Sequence, residues 1–239
     1  MSGSGTLYSV IMPLYNEGAH IVGNLQRTAD ALRLLGEFEL IVVDDGSVDD
    51  SRAELERSIG LFPELRVFHI EHSGKGEALR RGAAEARGEF VIFFDADLDL
   101  PPEQILFFIA LQRAKNADAV IGSKMHADST VDYPLIRRVY SLGYYLLVKA
   151  LFGLPVRDTQ TGLKLVRSDL LRKALAQTRV KGFAFDLELL VHLVRLHAFM
   201  VEAPVVVDFK IKFGGIGVAT VWEIFSETMS TWWRLLKER

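Results

Sequence analysis

Phe90-Val-Ile-Phe-Phe-Asp-Ala-Asp97 decides the fold: a run of apolar residues stops abruptly at two acidic ones. An apolar run without alternation reads as a strand covered on both faces, because a half-exposed strand would alternate. Working back towards the N-terminus, Lys75 to Arg87 has the Ala, Glu and Arg content of a helix, and Arg66 to Ile70 reads as a strand. Before them come a helix at Asp50 to Ile59 and a second apolar strand, Glu39 to Val43, running into Asp44-Asp45-Gly46-Ser47. A helix from Glu17 to Leu35 follows the first strand, Leu7 to Met12, which Pro13 ends. On the other side lie a helix from Pro102 to Ala114 and a strand at Ala119 to Gly122. Strands alternating with helices predict an α/β domain with a mostly parallel central sheet flanked by helices. Ligands of such sheets sit at the carboxyl ends of the strands. Here those ends carry Asn16-Glu17, Asp44-Asp45 and Asp95-Ala-Asp97.

The second half is less regular. Helices are expected near Ile136 to Phe152 and Asp186 to Leu196, with strands near Gly162 to Val166 and Phe199 to Ile211, the latter broken at Pro204. A glycine-rich link, Phe213 to Gly217, leads to a last helix, Val221 to Lys237. This divides the chain into a flexible N-terminus (1–6), a main domain (7–212) and a C-terminal helical segment (213–239).

The bulk properties exclude several classes. A chain of 239 residues fits one α/β domain, and a net charge of −3 gives no global attraction to nucleic acid. With no cysteine there is neither a disulfide framework nor a thiolate metal site, which suits a cytoplasmic location. The longest apolar stretch, Val139 to Val156, is interrupted by Lys149, Gly153 and Pro155 and falls short of the roughly 20 residues that span a bilayer. Gly74-Lys-Gly76 lacks the spacing of a P-loop, and no Gly-x-Gly-x-x-Gly follows the first strand. His192 and His197 are five apart and do not share a helix face, so they read as surface or partly buried residues and not as ligands.

Two carboxylates at the end of a buried strand repel each other and lose hydration, so a positive partner is expected between them. A hard divalent ion, Mg²⁺ or Mn²⁺, shared with substrate phosphates fits Asp95 and Asp97, with Asp99 as a third oxygen donor. An Asp-x-Asp triplet by itself also suits a helix cap or solvated turn; the preceding buried strand favours the metal. Asp44 and Asp45 are open to two readings as well, a cap or an acceptor for a base N–H or ribose hydroxyl. With both acidic pairs at adjacent strand ends, one would hold a nucleotide's base and the other its phosphates.

Val10-Ile-Met-Pro-Leu-Tyr-Asn-Glu17, Val42-Val-Asp-Asp-Gly-Ser47, Gly74-Lys-Gly76, Asp95-Ala-Asp97 and Gly122-Ser-Lys124 occur in this order. The set resembles the family 2 glycosyltransferases of the GT-A fold, in particular the polyprenyl-phosphate sugar synthases. Asp158-Thr-Gln-Thr-Gly-Leu-Lys-Leu165 and Phe183-Ala-Phe-Asp-Leu-Glu-Leu189 look closest to the dolichyl-phosphate β-glucosyltransferases. The similarity covers residues 7 to 212.

The resemblance implies an inverting, metal-dependent transfer of glucose from UDP-glucose to a polyprenyl or dolichyl phosphate. Alternatives are mannose from GDP-mannose, a saccharide acceptor, or a non-catalytic nucleotide-sugar-binding protein. It further implies that Pro13, Tyr15, Glu17, Asp44 and Asp45 hold base and ribose, with Lys75 nearby. Asp95 and Asp97 would bind metal, with Asp99 beside them, and Lys124 would contact phosphate where the family usually has Arg. Arg137 and Ser141 would take the acceptor phosphate, and Asp158, Gln160 and Glu188 would surround the sugar. The chain reads Phe213-Gly-Gly-Ile-Gly217 where the family has Gly-x-Ser-Lys, leaving Lys210 and Lys212 as partners for the donor phosphates. An anionic lipid phosphate attacks without a general base, so none is assigned.

Membrane contact is expected at two places, Tyr144-Tyr-Leu-Leu-Val148 and the tail Thr231-Trp-Trp-Arg-Leu-Leu-Lys-Glu-Arg239, although both also read as ordinary core helices. The implied location is the cytoplasm or the cytoplasmic face of a membrane, with peripheral attachment.

Overall fold

The apolar runs become the middle of a sheet. The computed structural model describes residues 8–131, 135–182, 184–207 and 218–237, with backbone alone for 135–138 and 218–221. In chain order the elements begin β1 (Tyr8–Leu14), α1 (Ile21–Leu32), β2 (Phe38–Asp44), α2 (Ser51–Ser58), β3 (Leu65–His69) and α3 (Lys75–Glu85). They continue β4 (Phe90–Phe93), α4 (Gln104–Lys115), β5 (Ala119–Ser123), α5 (Leu135–Phe152), β6 (Lys164–Arg167) and α6 (Ser168–Leu175). The last three are α7 (Phe185–Arg195), β7 (Met200–Pro204) and α8 (Val218–Lys237).

Among the described residues, the strands form one sheet in the order β3-β2-β1-β4-β6-β5-β7. Pairing is parallel except around β6, which runs antiparallel to β4 and β5. Successive residues of a strand face opposite sides of a sheet. Val10 and Met12 therefore pack with α1 and α4 through Leu25, Ala29, Ile105 and Phe108. Ile11 faces the other layer, formed by α3, α6 and α7 through Leu79, Leu171, Leu187 and Leu190. Each large apolar side chain so removed from water contributes roughly 1.5–3 kcal/mol, which explains why the central strands β1, β2 and β4 are nearly continuous apolar runs.

Three expectations need correction. Pro13 does not end the first strand; it lies inside β1, opposite Val43 of β2. Pairing with β4 has stopped at Ile11–Phe93, so no ladder bond is asked of the proline nitrogen on that side. Residues 17–20 form turns, and the helix begins only at Ile21. The acidic pairs do not lie on adjacent strands, because β1 separates β2 from β4. The helix α6 is an element that the sequence reading did not anticipate. Among the described residues no helix is long and apolar enough to cross a membrane.

Candidate active site

The ends of β1, β2 and β4 meet along one edge, with β1 in the centre. Leaving β1, Asn16 adopts a left-handed conformation (φ 56°) that turns its backbone towards the loop after β2. Two hydrogen bonds join the loops there: Asn16 N–H donates to Ser47 Oγ (2.9 Å), and Asn16 Oδ1 accepts from Val48 N–H (2.9 Å). Glu17 N–H donates to Ser51 Oγ (2.9 Å) and Gly18 N–H to Asp49 (3.0 Å). The Asp-Gly-Ser and Tyr-Asn-Glu segments, about 30 residues apart in sequence, are thus one physical unit.

Asp44 is buried inside that unit. One carboxylate oxygen accepts Ser47 N–H (2.9 Å) and the other meets His69 Nδ1 (2.9 Å). Desolvation alone would raise its pKa, but the bonds from Ser47 and His69 outweigh it and hold the carboxyl below the usual range. Both oxygens serve the turn, so Asp44 shapes the loop instead of facing a ligand. Asp45, also buried, accepts Ser73 N–H (2.7 Å) and Gly74 N–H (2.9 Å). It ties the end of β2 to the loop before α3. Beside it, the half-exposed rings of Tyr15 and His72 stack with centroids 4.4 Å apart. This pair forms a flat aromatic surface next to a buried carboxylate.

At the end of β4, Asp95 Oδ1 meets Lys75 Nζ at 2.5 Å. Desolvation opposes ionisation of Asp95, but Lys75, Lys164 and Lys124 prevail and lower its pKa. Lys75 is raised in turn: desolvation is overcome by Asp95, Asp186 and Asp97. Lys75 therefore sits on the Asp-x-Asp motif, while its neighbour Gly74 is held by Asp45. Among the described residues Asp97 makes no ion pair with a lysine or arginine, and one of its oxygens accepts Asp99 N–H (3.2 Å). Desolvation, then the charges of Asp95 and Asp99, push its carboxyl up to about 6. Leu98 between them is held at φ 54°, a left-handed conformation that costs a non-glycine residue about 1 kcal/mol or more. Burial of the Leu98 side chain holds the turn in place. Glu17 adds to the acidic side: desolvation raises its pKa, with His20 opposing and Asp49 and Asp99 adding to the rise.

The antiparallel β6 supplies the opposite wall. Gly162, just before it, lies so close that a Cβ there would fall 1.9 Å from Asp95 Oδ2. Lys164, fully buried, pairs with Asp186 of α7 (2.8 Å) and donates to Thr161 O (2.5 Å). The sequence reading missed this pair. Its signal was a lysine between two leucines in Leu163-Lys-Leu165, a charge inside an apolar run. Asp158 accepts Lys124 N–H (2.9 Å), Gln160 N–H (2.8 Å) and the Thr161 hydroxyl (2.6 Å), so its oxygens hold the loop that presents Gln160 and Lys124. Tyr144 of α5 donates to or accepts from Thr228 of α8 at 3.2 Å and interacts with Thr159 and Gln160.

Glu188 takes a different place. Fully buried, it accepts Arg179 N–H (2.9 Å) and Val180 N–H (2.8 Å) and meets Arg234 of α8 at 2.6 Å. These partners, with His192 at 3.4 Å, occupy its carboxylate and leave no oxygen directed at a sugar. His192 is correspondingly buried almost completely, deeper than the surface or partly buried position expected of it. Ser141 lies on α5; the Arg137 side chain and Lys210 and Lys212 are outside the described residues.

Among the described residues no three acidic or histidine side chains converge as a ready-made metal cage. Asp95 and Asp97 do offer hard carboxylate oxygens at a cleft walled by lysines, the donor chemistry of an ion that completes its shell with substrate phosphate and water.

The glycosyl transferase family 2 model matches residues 9–175, most of the chain. The protein belongs to glycosyltransferase family 2. Glycosyltransferase AglD of Haloferax volcanii is 29% identical over 241 residues, covering 98% of this chain and 38% of its own. The dolichyl-phosphate beta-glucosyltransferase ALG5C of Trichomonas vaginalis is 28% identical, covering 90% of this chain and 69% of its own. A dolichyl-phosphate beta-glucosyltransferase of Dictyostelium discoideum is 27% identical, with coverages of 82% and 65%. The chain thus spans little more than a third of the first relative and about two thirds of the other two. Among solved structures, the glucosyl-3-phosphoglycerate synthase of Mycobacterium tuberculosis in complex with Mn²⁺, UDP-glucose and phosphoglyceric acid superposes with a TM-score of 0.70 at 22% identity, covering 96% of this chain and 80% of that one. The family 2 chain described here accordingly has the GT-A fold.

Proposed function

We propose that this glycosyltransferase moves glucose from UDP-glucose to a polyprenyl or dolichyl phosphate, with inversion, using Mg²⁺ or Mn²⁺. The observation that carries the reading is the end of β4, where Asp95 pairs with Lys75 and feels the charges of Lys164 and Lys124, with Asp97 beside it. The names of two relatives support glucose and dolichyl phosphate. The Mn²⁺ and UDP-glucose complex of the solved relative supports the donor and a divalent ion.

The base stacks on Tyr15, beside Pro13 and Glu17, while Asp45 keeps the surrounding loops together. Asp95 and Asp97, with Asp99 beside them, would hold the divalent ion, which would supply positive charge to the donor diphosphate. Lys124, Lys210 and Lys212 stabilise the same leaving group. Arg137 and Ser141 hold the acceptor phosphate. One of its oxygens attacks the anomeric carbon, the bond to the UDP oxygen breaks, and UDP departs. Both reactants are anionic, so the protein's task is to align them and offset charge. Of the three residues expected at the sugar, Gln160 fits best, since Asp158 and Glu188 are spent on backbone N–H groups. The main domain (7–212) contains the site, and the C-terminal segment (213–239) attaches to a membrane surface. Exposed Trp222, Phe225 and Trp233 on α8 and Tyr140, Leu142 and Leu146 on α5 supply the apolar contact.

The test is UDP or GDP release from a panel of nucleotide sugars, with a polyprenyl phosphate in detergent, Mn²⁺ or Mg²⁺, and an EDTA control. Lipid-dependent, chelator-sensitive release from UDP-glucose is expected. Equal release with an alcohol acceptor, or none from UDP-glucose, would overturn the reading.

A further inference from the structure

We infer that Glu227 of α8 is a positioning residue for the donor site, acting through Lys181, Gly182 and Ala184 on the turn that presents Lys75. The inference rests on the function proposed above and concerns the means by which a distant helix reaches that site.

The connection can be followed atom by atom. Glu227 Oε2 accepts Ala184 N–H at 2.8 Å. The same carboxylate lies flat on the backbone at Gly182: a Cβ there would fall 2.2 Å from Glu227 Oε1 and 3.0 Å from its Cδ. Only glycine admits this approach. Lys181, the preceding residue, presents its carbonyl to Gly76 N–H at 3.1 Å. A Cβ on Gly76 would come within 2.8 Å of that carbonyl and 2.7 Å of the Phe185 ring, so the two segments are in full contact. Lys75, between Gly74 and Gly76, extends from this turn to Asp95.

The other end of the segment is held by Glu188 of α7, which α8 braces. Arg179 and Val180 donate their N–H groups to Glu188, whose other oxygen meets Arg234 of α8. Residues 179–182 and Ala184 are therefore tied to α8 directly through Glu227 and indirectly through Glu188, and Lys181 between these ties supports the Lys75 turn. Glu227 touches neither the cleft nor its carboxylates. Its effect on the donor passes through Lys181 O and Gly76 N.

A double-mutant cycle tests this, with UDP and Mn²⁺ as probes and binding measured by calorimetry on the full chain. Glu227→Ala is expected to weaken UDP binding about fivefold to tenfold. Glu227→Gln, whose amide oxygen can still accept Ala184 N–H, should restore most of it. In a Lys75→Met background, Glu227→Ala should cost less than twofold, because the element it positions is gone. Losses that multiply, or a Glu227→Ala protein that binds UDP like the wild type, would overturn the inference. If Glu227→Ala does not fold, Glu227→Asp, too short to reach Ala184, takes its place in the cycle: a loss that vanishes without Lys75 supports the inference, and losses that multiply overturn it. Absence of UDP binding by the wild type would overturn the functional reading and this inference together; normal wild-type binding with multiplying losses overturns the inference alone.

Discussion

Replacing Glu188 by Gln tests whether a motif carboxylate serves the fold. Glu188 has no exposed surface, and its carboxylate is held by two backbone N–H groups, His192 and Arg234. Desolvation pushes its pKa up, but the His192, Val180, Arg234 and Arg179 bonds bring it down to about 2, against an ordinary 4.5. The difference of 2.5 units, at 1.36 kcal/mol each, makes the ionised form worth about 3 kcal/mol of stability. That figure agrees with the cost of removing one partner from a buried pair, about 3–5 kcal/mol. Glu188→Gln loses the charge and turns an amide N–H₂ towards donors, so a loss of about 3 kcal/mol is expected in urea unfolding at pH 7. The folded-state pKa is depressed, so the contribution is complete above about pH 4.5 and fades as pH falls towards about 2. The gap between wild type and variant should therefore narrow at pH 3. A gap below about 1 kcal/mol at pH 7 with an unchanged urea dependence, or one that widens in acid, would refute the reasoning.

Gly162→Ala places a methyl 1.9 Å from Asp95 Oδ2. The carboxylate must move, and Mn²⁺-dependent UDP binding should fall at least about tenfold in calorimetry while far-UV circular dichroism is retained. Tyr15→Ala removes the ring stacked on His72. A base resting on such a ring gains about 1–3 kcal/mol, so UDP affinity should drop about tenfold, with Tyr15→Phe close to wild type. Trp222→Ala combined with Trp233→Ala removes two exposed indoles from α8. Pelleting with anionic liposomes should decline several-fold while UDP affinity in solution holds; unchanged pelleting would remove α8 from the membrane contact.

Much of this architecture was readable because the first half obeys simple rules. Strands such as Val10–Met12 and Phe90–Phe93 are buried on both faces, so composition alone marks them. Their acidic ends stood out for the same reason: a carboxylate next to an apolar run has few structural uses. Strand direction was not readable. The four residues of β6 carry no sign of running antiparallel, and that direction is set by how the chain returns from α5. The pairing of Lys164 was not readable because its partner, Asp186, lies beyond α6 in sequence. Asp44, Asp158 and Glu188 show a different limit. Motif position brings a carboxylate to the neighbourhood, but only coordinates reveal whether backbone N–H groups have already claimed its oxygens.

The reversal at β6 also bears on how such a protein can diversify. Because β6 lies beside β5 and runs against it, the chain departs from the cleft edge after Ser123 and re-enters at the same edge before Lys164. Everything between, α5 included, is an excursion whose two ends are neighbours. The ends of this excursion belong to the site, since Lys124, Gln160 and Gly162 lie there and Thr130 bridges Val206. The part around α5 can vary in length or sequence with these ends kept, because among the described residues no strand of the sheet lies within it.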